Sequence, residues 1–385
     1  MRKSLSSRFR WGPSRFGSPP ALAACVALGC WLVGGLYLWA GARLYEGIGT
    51  FGRPLRALPF LDMWARWDAR WYERIATQGY EFLGDEQSSV AFFPLYPLLM
   101  RGVHALTGVP ALVAGIALTL VLGLVAVALF HRWALRVVPE HTANLATALL
   151  TFWPFAFYLY GAVYSDALFL VLVVGSFLAL ERERVGLSAL LGALATATRP
   201  LAPAVVLGLL VRQLERRSRA GERLRARDFL PLLSGSGLGA YMLFQQVRFG
   251  TPTAFVQAQA GWDQSPGLAN YLKLPFFTAP MLRAYWNYAL PNALLALLFL
   301  GLCVPMRRRL GWGYTVYAAL AMGIPFVVSH LFIGLGRYAL GAFPCFVMLA
   351  VVLEERPRAR VTWCAASAVG LAVLVARFAV GRFVG

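Results

Sequence analysis

Residues 109–131 read VPALVAGIALTLVLGLVAVALFH, without a single Asp, Glu, Lys or Arg. A helix crosses the bilayer core of about 30 Å with about 20 apolar residues, so this stretch predicts a membrane-spanning helix. The chain of 385 residues is 59% hydrophobic and 14% charged, whereas soluble domains carry roughly 25% charged residues. The composition therefore argues against a soluble enzyme.

The same apolar pattern recurs along the chain. An uncleaved first span is predicted at 21–42, behind a basic N-terminus. Between 186 and 212, two shorter pieces are broken at Arg199, Pro200 and Pro203, because proline removes a backbone donor and disfavours helix in the preceding residue. Counting these pieces as two gives eleven spans in all. The others are predicted near 109–131, 142–160, 163–180, 229–247, 287–305, 312–332, 337–353 and 361–378.

The basic residues punctuate these apolar runs and do not gather on one face, which argues against nucleic-acid binding in spite of a net charge of +19. With eleven spans, the segments that share one side carry most of that charge, and the positive-inside rule makes this side cytoplasmic. They are the N-terminus, the loops near 132–141, 181–185, 212–228 and 305–311, and the turn at 354–360. The long connections 43–108 and 248–286 and the C-terminus then lie outside.

The first long loop contains LDMWARWDARWYERIATQGY at 61–80. Projected at 100° per residue, its tryptophans and Ile75 share one face of a helix, whereas Arg66, Arg70 and Glu73 lie on the other, which predicts an amphipathic helix at the membrane interface. Asp68 falls on the aromatic face, where a carboxylate loses hydration, and acids so placed are functional candidates. The alternative is an ion pair with Arg70 or Arg74, or a helix cap.

Two arginines are predicted at the outer ends of spans. Arg199 lies in TATRPLAP and Arg337 in LGRYALGAFP. Because a membrane arginine costs roughly 2.5–3.5 kcal/mol to insert, it normally faces protein, water or an anion. Either guanidinium could donate two parallel hydrogen bonds to a phosphate. For Arg337, snorkelling to the interface is the alternative.

Two further segments carry polar side chains toward the same side. In GAVYSDALF, Asp166 lies beside Tyr164 and could be either a helix cap or a substrate contact. In GTPTAFVQAQAGWD, Gln259 and Trp262 could present an amide and an indole to a sugar. The five cysteines and four histidines form no CxxC and no ligand spacing, so neither a disulfide framework nor a metal site is predicted.

Taken in order, several motifs resemble the PIG-V-like mannosyltransferases over about residues 60–350. They are RWDARWYERIATQGY, AFFPLYPLL, GAVYSDALF, ATATRP, GTPTAFVQAQAGW, YWNYALP and GRYALGAFP. These enzymes are polytopic GT-C glycosyltransferases, related to the enzyme that adds the second mannose in GPI-anchor assembly. The resemblance implies an all-α membrane protein with one GT-C-type domain over 1–385. The short chain further implies a bacterial-type member in the cell membrane, with an acceptor other than the GPI glycolipid.

The resemblance also implies a chemistry. Mannose would pass from a polyprenyl-phosphate donor to a lipid or glycolipid hydroxyl, with inversion and without a cofactor, at the extracytoplasmic face. Asp68 of the WD motif would be the general base, and the arginines of the TR and GRY motifs match Arg199 and Arg337, which we expect to bind the donor phosphate. Substrate contacts are expected from Trp67, Trp71, Tyr164, Asp166, Gln259 and Tyr338.

Two departures from the family pattern are visible: Asp166 stands where the relative has Glu, and Pro200 and Leu201 follow Arg199 in place of a small polar pair. The departures leave the acceptor open. Two alternatives to the mannosyltransferase remain. One is a non-catalytic transporter of lipids or lipid-linked sugars, and the other is the same enzyme class using a different sugar, such as glucose or arabinose.

The topology can be tested with a reporter fused after Gly385. Eleven spans and a cytoplasmic N-terminus place this fusion outside the cell, so alkaline phosphatase should be active and a fluorescent protein that folds only in the cytoplasm should be dark. The opposite pair of signals would contradict the counting of the broken pair as two spans.

Overall fold

The computed structural model describes residues 18–44, 55, 58–264, 267–274 and 278–384. The basic N-terminal residues and most of 43–57 lie outside the described residues. Within the described parts, every regular element is helical: α1 (Pro19–Leu44), α2 (Pro59–Asp62), α3 (Ala69–Gln78), α4 (Leu95–Thr107), α5 (Ala111–Val137), α6 (Glu140–Thr151), α7 (Asp166–Glu181), α8 (Val185–Thr196), α9 (Ala202–Arg219), α10 (Ser236–Phe249), α11 (Ala254–Gln257), α12 (Leu268–Tyr271), α13 (Ala279–Arg309), α14 (Trp312–Val328), α15 (Leu335–Tyr338), α16 (Pro344–Glu354) and α17 (Pro357–Ala379). The predicted all-α fold class is confirmed.

Four of the described helices are long and apolar enough to cross a membrane: α1 over Pro19–Ala40, α5, α13 over Ala289–Arg309, and α17. Three shorter apolar helices, α8, α14 and α16, accompany them. These helices indicate a multi-pass membrane protein, while the total of eleven spans stays a prediction.

The broken pair predicted between 186 and 212 is confirmed. Helix α8 ends at Thr196, and α9 begins at Ala202. Arg199 and Pro200 lie in the break. Pro203 does not break the chain further, because it lies in the first turn of α9, where a helix has no use for the missing N–H.

The stretch 142–160 is not one continuous helix. Helix α6 ends at Thr151, Pro154 follows, and a short 3-10 helix covers Ala156–Leu159. The residues from Phe155 to Tyr164 are buried inside the protein. Their apolar character therefore reflects the protein core and not contact with lipid. Likewise 337–353 is divided into α15 and α16, which begins at Pro344.

The core is built around α7, which is buried along most of its length. Near the C-terminal end of α7, Trp133 of α5 stands edge-on to Phe343, with ring centroids 4.6 Å apart. The Trp133 Nε1 donates to the Tyr314 hydroxyl at 2.8 Å, and that hydroxyl donates to a Glu181 carboxylate oxygen at 2.8 Å. The polar atoms of these large rings are thus satisfied within the core, as buried polar groups require.

Close packing of α5 against the 3-10 segment yields a stability prediction. A Cβ atom added at Gly123 would lie 1.8 Å from the Leu159 carbonyl oxygen. Gly123→Ala should therefore force a backbone shift and lower the stability by about 1–3 kcal/mol, the usual cost of overpacking. Gly301→Ala on α13 is the control, because no atom lies within 4 Å of its added Cβ. Thermal unfolding in detergent measures the stability of both variants. Equal unfolding midpoints for Gly123→Ala and Gly301→Ala would contradict the close packing at Gly123.

Candidate active site

A cavity of about 1040 Å³ lies where the first and second long loops meet the ends of α7, α8, α14 and α15. All nine side chains that the sequence proposed for the site line it: Asp68, Arg199, Arg337, Trp67, Trp71, Tyr164, Asp166, Gln259 and Tyr338. Its size fits a drug-sized or sugar-sized ligand, since such pockets measure roughly 300–1,000 Å³. The roles given to these residues stay predictions.

Asp68 does not lie inside a helix, so the predicted continuous helix over 61–80 is wrong. Helix α2 ends at Asp62, and α3 begins at Ala69, with Asp68 at its N-cap position. Between them Trp67 has a φ of 54°, in the left-handed region that costs a bulky residue about 1–3 kcal/mol and occurs preferentially at active sites. This turn at Trp67 directs the following residue, Asp68, toward the cavity.

The partner of Asp68 is neither Arg70 nor Arg74. Its Oδ2 accepts a hydrogen bond from Arg337 Nη1 at 3.2 Å. Its side chain makes no helix-capping hydrogen bond, and Arg74 pairs with Glu81. About a third of the Asp68 side chain, 31%, stays accessible, which leaves the carboxylate open to a ligand in the cavity.

The Arg337 guanidinium is surrounded by aromatic rings. Its carbon lies 5.0 Å from the centroid of Tyr164, 5.0 Å from that of Tyr338 and 5.4 Å from that of Tyr158. Ring faces attract cations, so these contacts stabilise the charge where water is scarce. The Nη2 donates to the Tyr338 hydroxyl at 3.3 Å, and the buried Nε meets no hydrogen-bond acceptor among the described residues. Arg337 therefore faces protein and cavity and does not snorkel along the surface.

A second ion pair closes the inner side of the cavity. Arg199 Nη1 donates to Asp166 Oδ1 at 2.5 Å, and both side chains are buried. Asp166 occupies the first turn of α7, where the helix dipole favours an acid, so it serves as a first-turn residue and as an ion-pair partner. The Arg199 guanidinium also lies 4.8 Å from the ring centroid of Tyr338. Tyr338 thus stands between the two arginines.

Aromatic rings from both long loops form one wall. Trp71 stacks on Phe92 with centroids 5.7 Å apart, and Trp262 stands edge-on to Trp71 at 5.7 Å. Gln259 lies one turn before Trp262 and also lines the cavity. Rings of this kind offer flat apolar faces with polar edges, the surface that packs against a sugar ring. Trp71 thus faces the cavity and the ring of Phe92.

Sequence reasoning missed several residues of the site. Tyr158 belongs to the apolar run that was read as a span, and it lines the cavity beside Arg337. Tyr72 donates to Ser165 Oγ at 3.1 Å, and burial, together with the nearby Asp68 carboxylate, raises the pKa of its hydroxyl. Tyr72 therefore stays a proton donor at any physiological pH. The helical projection placed Tyr72 with the aromatic residues, but it predicted that this face lies at the membrane interface and not inside the protein.

The last described residues also belong to the site. Phe383 stands edge-on to Trp67, with ring centroids 5.4 Å apart, and Val384 lines the cavity. Arg66 fixes this end through hydrogen bonds from Nε and Nη2 to the Ala379 carbonyl at 3.2 and 3.0 Å. The C-terminal end of α17 thus lies on the same side of the protein as Asp68, as the span count predicts.

The arrangement combines the accessible Asp68 carboxylate with the Arg199 and Arg337 guanidinium groups in a half-closed cavity. Carboxylates accept protons, and guanidinium groups stabilise developing phosphate charge. In the described residues, no three His, Cys, Asp or Glu side chains lie close enough to hold a metal ion. The chemistry that these side chains can perform is a proton transfer coupled to the departure of an anion.

Comparison with solved structures finds similarity to the crystal structure of the Archaeoglobus fulgidus oligosaccharyltransferase in the apo form, with 12% sequence identity and a TM-score of 0.48. The similarity covers 95% of this chain and 56% of that one, so the chain spans little more than half the length of that enzyme. A search of curated proteins finds no match.

A family comparison is decisive for identity. The sequence matches the family described as mannosyltransferase (PIG-V) over residues 58–307. The match includes Asp68, Asp166 and Arg199, ends before Arg337, and extends over more than half of the chain. By that match the chain belongs to the PIG-V family of mannosyltransferases, the family that its motifs resemble.

Proposed function

We propose that this protein transfers mannose from a polyprenyl-phosphate carrier to a hydroxyl group of a lipid or glycolipid acceptor, with inversion, at the extracytoplasmic face of the cell membrane. The family supports the sugar and the reaction class. The observation that carries the mechanism is the contact of 3.2 Å between Asp68 and Arg337 inside the cavity. It brings a proton acceptor and a phosphate-binding group within reach of one sugar.

In this mechanism the acceptor oxygen attacks the anomeric carbon of the donor while Asp68 takes the hydroxyl proton. The bond between the anomeric carbon and the phosphate oxygen breaks, and its electron pair leaves with the polyprenyl phosphate. One displacement inverts the configuration, whereas retention would require a carboxylate nucleophile for a second displacement. A positioned general base contributes typically about 10² to 10⁴ in rate.

The arginines would stabilise the leaving phosphate. Arg337 has donors in addition to the one that Asp68 uses, and its buried Nε lacks an acceptor among the described residues. Arg199, 4.8 Å from Tyr338, supplies a second charge on the inner side. Preorganised donors cost no reorganisation when the phosphate charge develops. The isoprenoid tail would contribute about 0.8 kcal/mol for each buried methylene, so selectivity must come from the headgroup.

The wall of Trp71, Phe92 and Trp262 would hold the acceptor or the mannosyl ring. Gln259 would supply amide hydrogen bonds beside it. The side chain of Asp166 is one methylene shorter than the Glu of the family pattern. Because it pairs with Arg199 at 2.5 Å, we assign it a structural role in the site. The acceptor is therefore selected chiefly by the aromatic wall and the outer loops.

The base assignment is tested with Asp68→Asn. Asparagine keeps the shape and an oxygen that Arg337 can bind, but it cannot take a proton, so transfer of mannose from polyprenyl phosphate mannose should fall by about 10² to 10⁴. Glu73→Gln is the matched control, because it removes one carboxylate from α3, the helix that follows Asp68, and position 73 lies outside the cavity lining. Radiolabelled transfer by purified protein to a membrane lipid extract is the measurement. An Asp68→Asn variant with full activity removes Asp68 from the base role.

The phosphate assignment is tested with Arg337→Ala. Loss of hydrogen bonds to a charged group costs about 1.5–3 kcal/mol, so the KM for the donor should rise about ten- to hundred-fold while the KM for the acceptor changes little. Arg248→Ala, an exposed arginine at the end of α10, is the control. A donor KM that stays at the wild-type value in Arg337→Ala would contradict the role.

A further inference from the structure

The residue before Arg337 is fixed by two buried side chains. The Gly336 N–H donates to Asn292 Oδ1 at 2.6 Å, and the Gly336 carbonyl accepts from Trp153 Nε1 at 2.8 Å. Asn292 is 2% exposed and Trp153 is 0% exposed. Both backbone groups of one residue are thus held by side chains from other parts of the chain, Asn292 from α13 and Trp153 from the segment after α6.

Gly336 also has no space to move toward the protein interior. A Cβ atom added there would lie 2.1 Å from the ring of Phe155. The backbone of the short helix α15 therefore packs directly on that ring. Hydrogen bonds on two sides and a ring on the third define the position from which the Arg337 side chain extends.

A buried asparagine in an apolar helix needs an explanation. Its neighbours in α13 read ALPNALLALLFLG, so Asn292 is the single strongly polar residue in that stretch. Burying a side-chain amide costs free energy unless it forms hydrogen bonds, whereas leucine, with a similarly branched side chain and no polar atom, carries no such cost. The hydrogen bond from the Gly336 N–H to Asn292 is short and buried, and Gly336 directly precedes Arg337 in the chain.

Neither Asn292 nor Trp153 lines the cavity. They do not contact a substrate there, so any effect on the reaction is indirect, and the hydrogen bonds to Gly336 connect both side chains to the residue before Arg337. Fixing the backbone matters for an arginine, because its long side chain carries about 2 kcal/mol of rotamer entropy and binds phosphate well only when its fork is pre-organised.

We propose that Asn292 and Trp153 are positioning residues that fix Gly336, so that the Arg337 guanidinium is held among Tyr158, Tyr164 and Tyr338 for binding the donor phosphate. This proposal rests on the phosphate-binding role of Arg337 given above. It extends the functional set to two residues behind the cavity, one of them in the transmembrane helix α13, none of whose described side chains line the cavity.

The experiment is a double-mutant cycle read by binding of polyprenyl phosphate to purified protein in nanodiscs. Asn292→Leu removes the hydrogen-bond acceptor and should weaken binding at least about five-fold. Asn292→Asp keeps the acceptor and should bind within about two-fold of wild type. In an Arg337→Ala background, Asn292→Leu should cause no further loss, because the group that it positions is absent.

A merely structural role for Asn292 predicts a different cycle. Asn292→Leu would then weaken binding by the same factor with and without Arg337, and that additivity overturns the proposal. Wild-type binding by Asn292→Leu overturns it as well. Should Asn292→Leu fail to fold, Trp153→Phe removes the indole donor at the other side of Gly336 and must show the same dependence on Arg337.

The cycle separates this proposal from the proposed function. Additive losses alongside loss of transfer in Asp68→Asn would overturn only the positioning role. A non-additive cycle in a protein that transfers no mannose would uphold the positioning role and contradict the transfer reaction. A wild-type protein that does not bind polyprenyl phosphate would contradict both.

Discussion

The contact between Asp68 and Arg337 joins positions 269 residues apart in the chain, and the candidate site depends on it. Asp68 comes from the turn before α3, and Arg337 from the short helix α15. The cavity exists because the first long loop and the segment after α14 meet at this ion pair. The Tyr164 hydroxyl, which accepts from the Asp68 backbone N–H at 3.2 Å, adds the start of α7 to the same junction.

The structure stabilises these largely buried charges by pairing and by aromatic contact. Leaving one partner of a buried ion pair alone costs several kcal/mol. The two acids proposed for the site each have an arginine: Asp68 pairs with Arg337, and Asp166 pairs with Arg199. Tyr338 lies about 5 Å from both guanidinium groups and makes one aromatic surface common to the two pairs. The pairs differ in exposure, because Asp166 is buried while 31% of the Asp68 side chain is accessible. That difference is consistent with the proposal that Asp68, and not Asp166, is the acid that meets a substrate.

Most residues of this site were predictable from local sequence, whereas the ion pairs that they form were not. An acid among tryptophans, an arginine before proline and an arginine in a GRY motif are visible in single segments, and all three line the cavity. The partner of Asp68 was missed because helical periodicity relates only neighbouring residues, and Arg337 is distant. The continuous helix over 61–80 was wrong because a projection cannot show the left-handed residue Trp67. Pro154 was the one sign in the sequence that the helix ends after Thr151, but the apolar character of 142–160 predicted a continuous span. No feature of the sequence predicted Tyr158 in the site, since hydropathy does not distinguish a helix in lipid from a buried turn.

The central claim is that Asp68 and Arg337 together face the bond that breaks. The most direct measurement is a cryo-electron microscopy structure of the protein with polyprenyl phosphate mannose bound to Asp68→Asn. The account predicts the donor phosphate within hydrogen-bond distance of the Arg337 guanidinium, and the anomeric carbon on the side of residue 68 with room for an acceptor hydroxyl between them. A donor phosphate bound away from Arg337, with the sugar facing a different acid, would contradict it.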